Sequence, residues 1–141
     1  MINDGLNLKG KLAISLNGQV VKEVDNIVVT TGKNYVASRM KDATATAMSH
    51  MAIGSGTTNP AAGDTALETE LGRVALTSTA VSSNVVTYTA TFAAGTGTGA
   101  VTEAGILNAS SSGTLLCRTE FSVVNKGSSD SMTITWTVTV S

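Results

Sequence analysis

Ser131-Met132-Thr133-Ile134-Thr135-Trp136-Thr137-Val138-Thr139-Val140 is the stretch that decides the fold. Met132, Ile134, Trp136, Val138 and Val140 alternate with Thr133, Thr135, Thr137 and Thr139. Such a period of two, held over ten residues, belongs to a strand and not to a helix. One face is large and apolar. The other is a ladder of β-branched hydroxyl side chains, which suits a pleated surface. The strand should therefore bury one face and offer the other to water or to a partner.

The pattern recurs upstream. In Asn84 to Phe92, Val86, Tyr88, Ala90 and Phe92 oppose Thr87, Thr89 and Thr91. Arg73 to Val81 reads as its neighbour, joined through the turn Ser82-Ser83-Asn84. Thr114 to Val124 is a further strand, with Leu115, Cys117, Thr119 and Phe121 set against Leu116, Arg118 and Glu120. Asn125 to Asp130 then reads as a polar hairpin loop. Val101 to Asn108 and Ala47 to Ile53 are shorter strands. Near the N-terminus, Leu12, Ile14 and Leu16 lead into Asn17-Gly18, a type I′ turn signal, and the return strand runs on to Ile27-Val28-Val29. Thr31 to Lys41 lacks alternation and reads as a helix with Tyr35, Val36, Arg39 and Met40 on one side, capped by Thr30 or Thr31. Thr65 to Leu71 carries Thr65 and Glu68 at capping-box spacing, enough for one helical turn or two. Ala93 to Ala100 reads as a flexible loop of small residues.

About eight strands with turn signals every 8–12 residues predict an all-β chain. The expected architecture is an antiparallel β-sandwich of jelly-roll or immunoglobulin-like kind, with one short helix and one helical turn. Residues 1–30 read as an N-terminal arm or hairpin, free to belong to the same single domain, and residues 31–141 as the sandwich domain.

Composition narrows the function classes. The chain has 141 residues, a net charge of -1, 13% charged residues and 4% aromatics, with 22 Thr and 15 Ser. Nine basic residues against ten acidic ones give no excess for nucleic acid. A single Cys forms no intrachain disulfide. No apolar run reaches the length of about 20 residues that crosses a bilayer as a helix, so no membrane partner is expected. Met1-Ile2-Asn3-Asp4-Gly5 has an early acid and no apolar core, so no signal peptide is expected. Asn108-Ala109-Ser110 matches a glycosylation sequon, which means little without such a signal.

The residues that could carry chemistry each have an ordinary structural reading. His50 is the sole histidine, so a Ser/His/Asp relay has one candidate base and no nucleophile elbow near it. It reads as a strand-end residue. Cys117 lies within an alternating strand and reads as a small buried hydrophobe. One Cys and one His fall short of a zinc site. Asp64, Glu68 and Glu70 cluster at the start of a presumed helical turn, where the helix dipole favours acids without any metal. Gly54-Ser55-Gly56-Thr57-Thr58 lacks the lysine of a phosphate loop, and Gly95-Thr96-Gly97-Thr98-Gly99 lacks strand–turn–helix context. Both read as loops with glycine at positive φ. Lys9, Lys11, Lys22, Glu23 and Asp25 read as solvated or edge-protecting charges. No catalytic, cofactor-binding or metal residues are expected, and the chain is not expected to be an enzyme.

Three stretches resemble small structural proteins of tailed bacteriophages. Met51 to Arg73 carries a strand ending in Gly54-Ser55-Gly56-Thr57, a small-residue loop, and Asp64-Thr65-Ala66-Leu67. Glu103-Ala104-Gly105-Ile106-Leu107-Asn108-Ala109 is similar to the same group. So are Leu115 to Thr119 and Asn125 to Trp136. The resemblance covers most of residues 48–141 and implies a non-enzymatic virion protein assembled in the bacterial cytoplasm. The implied role is a head decoration (cement) protein bridging subunits of the major capsid protein, as a homo-oligomer, with a trimer as the natural arrangement. A tail, collar, baseplate or fibre-adaptor component is the alternative. A further alternative is a carbohydrate-binding module on the host surface, for which few aromatics remain once Trp136, Tyr88 and Phe92 take core faces. The strand edges and the 1–30 arm are the expected contact regions.

Overall fold

The structure, a computed structural model, describes residues 5–41 and 45–141. The N-terminal reading of Met1 to Asp4 lies outside them. Among the described residues the chain forms nine strands and one helix. In chain order these are β1 (Leu8–Leu16), β2 (Gln19–Val28), α1 (Thr30–Arg39), β3 (His50–Gly54), β4 (Glu70–Ala75), β5 (Ser78–Ser82), β6 (Val85–Phe92), β7 (Gly99–Leu107), β8 (Leu115–Lys126) and β9 (Met132–Val140).

All nine strands join one antiparallel sheet in the order β4-β3-β7-β8-β2-β1-β9-β6-β5. The sheet has a narrow waist. The β2–β8 ladder pairs only Ile27 with Arg118 and Val28 with Cys117. On either side of that waist the two halves curl over a shared core. Met51, Ile53, Ile106 and Phe121 come from one half, and Leu12, Ile14, Phe92, Ile134 and Trp136 from the other. The all-β expectation holds, with nine strands and with the two layers curled from one continuous sheet.

The deciding stretch behaves as its alternation requires. Met132, Ile134, Trp136 and Val138 are buried, and the threonines between them face outward. β9 lies between β1 and β6, pairing Trp136 with Leu12 on one side and Tyr88 on the other. The Asn17-Gly18 turn also forms as read, with φ of 50° and 86°. Residues 8–28 thus supply two internal strands of the sheet.

Tertiary pairing corrects several local readings. The supposed single strand Arg73 to Val81 breaks at Leu76-Thr77. Leu76 N–H donates to Ser49 and Thr77 N–H donates to Thr89, so two successive residues bond to opposite halves. β4 and β5 therefore end up at the two extreme edges of the sheet. Asn125 to Asp130 is not a hairpin loop, because β8 pairs with β7 and β2 whereas β9 pairs with β1 and β6. It carries the chain from one half to the other.

Thr65 to Leu71 forms no helix. A single turn fixes several backbone angles for one hydrogen bond, and here the amides of Glu68 and Thr69 go to the Glu103 carboxylate instead. The helix α1 starts after Val29 with no side-chain cap. Thr31 Oγ1 donates to the Leu115 carbonyl, Tyr35 and Val36 pack on the core, and Met40 is 81% exposed. In β8 a bulge opposite Ile106/Leu107 breaks the expected parity. Leu116 and Cys117 both join the main core, while Leu115 faces the second cluster with Val29, Ala52, Leu67 and Leu107.

Candidate functional site

The β3-β7-β8 half is buried on both faces, which an antiparallel sheet with one wet face would not need. Its outer cover is the loop 55–69, whose Leu67 packs into the second cluster. Beneath that loop lie two charged residues, Glu103 on β7 and Arg118 on β8, at 0% and 2% exposure. A charge in such a place must be paired and hydrogen-bonded to persist.

Both are. Glu103 Oε2 accepts the amides of Gly56 and Thr69, each at 2.8 Å. Glu103 Oε1 accepts the amide of Glu68 at 2.9 Å and Arg118 Nε at 3.0 Å. Arg118 Nη1 donates to Asp64 Oδ2 and Nη2 to the Thr58 carbonyl, both at 3.0 Å. Thr102 Oγ1 donates to the Gly56 carbonyl at 2.6 Å. Two side chains thus pin the loop at Gly56, Thr58, Asp64, Glu68 and Thr69.

Gly54, at the end of β3, and Gly56 serve close approach. Gly54 and Gly56 are absent from the positive-φ residues, unlike Gly95, Gly97 and Gly99, which corrects their expected role. A Cβ on Gly54 would stand 2.6 Å from Glu103 Oε2. Within the 93–100 stretch expected as a loop, Gly97 packs against Ile53 and backs onto Gly72, Gly99 and Ala100 already belong to β7, and Ala93, Ala94, Gly95 and Thr98 are exposed.

The acids expected as a cluster separate. Asp64 pairs with Arg118. Glu68 Oε1 accepts the Thr57 amide, and a hydrogen bond from Thr58 is the main cause that lowers its carboxyl below the ordinary value. Glu70 pairs with Arg73 at 2.7 Å. Among the described residues no group of three His, Cys, Asp or Glu could hold a metal ion. His50 opens β3, half-buried, with Ser49 Oγ 2.7 Å from its Nδ1. Cys117 is fully buried, and burial pushes its thiol far above the ordinary range. Asn108 is engaged on both sides, accepting the Thr114 amide and donating to the Thr46 carbonyl. All five aromatic residues belong to or pack on the main core: Trp136, Phe92, Phe121, Tyr35 and Tyr88. Burial raises the Tyr88 phenol to about 12.

The signal for the Glu103–Arg118 lock was present in the chain: one carboxylate inside Val101 to Leu107 and one guanidinium inside Leu115 to Phe121, both otherwise mostly apolar. Alternation along each strand does not show that the two strands are neighbours. The lock brings together residues of three separate stretches, 56–69, 103 and 118.

The other half presents a contrasting outer surface. Cross-strand rows run Ser15–Thr133–Thr91, Ala13–Thr135–Thr89–Ser78, Lys11–Thr137–Thr87–Ala80 and Lys9–Thr139–Val85–Ser82. This plate of hydroxyl and small side chains carries charge only at Lys9 and Lys11. Thr91 and Thr133 hydroxyls bond each other at 3.0 Å.

Comparison with family models, with curated proteins and with solved structures finds no match to the chain.

Proposed function

We propose that the protein is a non-enzymatic structural component of a tailed-bacteriophage virion, and specifically a head decoration (cement) protein bound to the outside of the capsid. The observation that carries this reading is the Ser/Thr plate of β1, β9, β6 and β5 beside a bare strand edge. Short β-branched hydroxyl side chains lose little rotamer freedom on burial and hold a stiff surface. A plate of this kind can be covered by a partner with few charges to desolvate. Specific interfaces bury on the order of 1,200–2,000 Å², and a plate spanning four strands offers area on that scale.

Two features lend support. The ionised groups of the buried cluster are saturated with partners, so Glu103 has no free lone pair for proton transfer. Trp136, Phe92 and Phe121 are buried in the core and the two tyrosines are half-buried against it, which leaves little ring surface for stacking on a sugar.

The test is the protein's copy number and position in purified particles of the phage that encodes it. Hundreds of copies, with density over the capsid, support decoration. A small multiple of six with density confined to the tail would replace this reading with a collar, baseplate or fibre-adaptor role. Thr135→Lys, placed in the centre of the plate, should lower occupancy on the head without lowering the stability of the isolated protein.

A further inference from the structure

A nine-stranded sheet that does not close has two edges, and unpaired edges invite other strands. The β4 strand carries charge, with Glu70 and Arg73 paired at 2.7 Å, which guards an edge. Gly72 backs onto the 93–98 turn, where an added Cβ would stand 2.9 Å from Gly97 Cα. Arg73 Nη1 donates to the carbonyls of Ala109 and Ser112, both at 2.9 Å. The free flank of β2 is guarded by Lys22, Glu23 and Asp25, and is bridged to β8 by Lys22–Ser122 and Thr119–Asp25 hydrogen bonds. The β5 edge is different. All five of its residues, Ser78-Thr79-Ala80-Val81-Ser82, are exposed, and none is charged or proline. Val81 is 75% exposed.

Geometry fixes what can sit there. Ser82 pairs with Val85 across the two-residue turn Ser83-Asn84, and in such hairpins the flanking pair shares its hydrogen bonds. By alternation Ala80 also bonds inward, to Thr87. Thr79 and Val81 therefore direct their N–H and C=O groups away from the molecule. Those groups require an extended strand.

The sequence of β5 is close to its own reverse. Laid antiparallel on a second β5 about Ala80, it sets Ser78 against Ser82′, Thr79 against Val81′ and Ala80 against Ala80′. Thr79 and Val81′ would exchange backbone bonds. The two Ala80 would form the close, non-hydrogen-bonded pair that favours a small residue. Two β-branched residues face each other on each side, and no like charges meet. Self-complementarity of this kind is what a two-fold interface requires.

We propose that β5 is a homotypic docking edge, through which two copies of this chain join their sheets antiparallel about a two-fold axis at Ala80. This contact uses the same bare β5 edge that borders the Ser/Thr plate, and it is two-fold, unlike the trimer expected from the sequence. Five residues a side fall well short of the roughly 1,600 Å² of a standard interface, so association is weak and is read at high concentration.

The test is sedimentation velocity of the full chain up to about 1 mM, a range that detects weak dimers. The wild type should shift reversibly from monomer to dimer. Ala80→Lys puts two like charges face to face and should weaken the dimer about tenfold or more at low salt. Mixing Ala80→Lys with Ala80→Glu should restore it as a heterodimer, because the two charges then oppose each other. Val123→Lys, exposed on β8, should leave association unchanged. Unchanged thermal midpoints establish that the variants are folded. A wild type that stays monomeric at 1 mM overturns the proposal. So does a dimer indifferent to Ala80→Lys, or a Lys/Glu mixture that fails to associate.

Discussion

Replacing Glu103 with Gln tests whether the buried ion pair is what holds the 55–69 loop. The change preserves shape and removes one acceptor oxygen. Whichever way the amide turns, its NH₂ group faces two donors: the amides of Gly56 and Thr69 at Oε2, or the Glu68 amide and Arg118 Nε at Oε1. Each buried donor left unpaired costs about 1–3 kcal/mol. Arg118 also keeps only Asp64 as a counter-charge, and breaking a buried pair from one side costs about 3–5 kcal/mol. Part of the loop is reachable by water, so about 3 kcal/mol is the expected loss. For a domain of this length that corresponds to a fall of roughly 10 °C in Tm. Trp136, the one tryptophan and fully buried, reports global unfolding in urea by its fluorescence. Hydrogen exchange at Gly56, Glu68 and Thr69 reports the loop, and these amides should lose protection more than those of β9. Replacing the pair together, as Glu103→Gln with Arg118→Met, should cost less than the sum of the single changes. A loss below about 1 kcal/mol, or loop amides as protected as in the wild type, would refute the assignment of the lock.

Three further outcomes follow from other contacts. Asp130 accepts Asn17 Nδ2 and the Gly127 amide, and the Asn17 bond first and the Gly127 bond second hold its carboxyl below the ordinary 3.8. Its stabilising contribution is present above that value and is lost as pH falls through the folded pKa. The stability difference between wild type and Asp130→Asn, measured by urea midpoints, should therefore shrink as pH drops below about 4. Gly10→Ala would drive a methyl into Asn26, whose Oδ1 accepts Trp136 Nε1 at 2.8 Å. A loss of about 2–3 kcal/mol with a shifted tryptophan spectrum is expected, and an unperturbed spectrum would count against it. Cys117, buried with a raised thiol pKa, should react with a thiol reagent only on unfolding; rapid labelling of the native protein would contradict that environment.

Strand identity was legible because alternation is a local property. Where one face is buried and the other wet, a period of two writes itself into the sequence, as at Met132 to Val140 and Val86 to Phe92. The Asn17-Gly18 turn was legible for a similar reason, since positive φ at two successive positions limits the residues that fit. Strand partners were not legible. Nothing local distinguishes Arg73 to Val81 as one strand from two strands on opposite edges, because the break at Leu76-Thr77 comes from hydrogen bonds to Ser49 and Thr89. Strict alternation sets Leu115 with Cys117 and Leu116 opposite them, whereas the structure reverses both, because a bulge shifts parity without leaving a mark in composition.

The lock shows the same division. The sequence by itself determined that this chain is all-β, with a threonine face opposite an apolar one, and that Glu103 and Arg118 interrupt largely apolar strands. Only the tertiary structure decided that these two residues stand beside each other under the 55–69 loop, 15 positions apart in the chain, with Asp64 a further 39 positions before Glu103. It also decided that β5 is left bare. Periodicity follows from which side of a strand meets water, and each strand carries that record alone. Pairing order, edge and buried charge partners depend on how distant segments meet, and that is settled only when the whole sheet closes over its core.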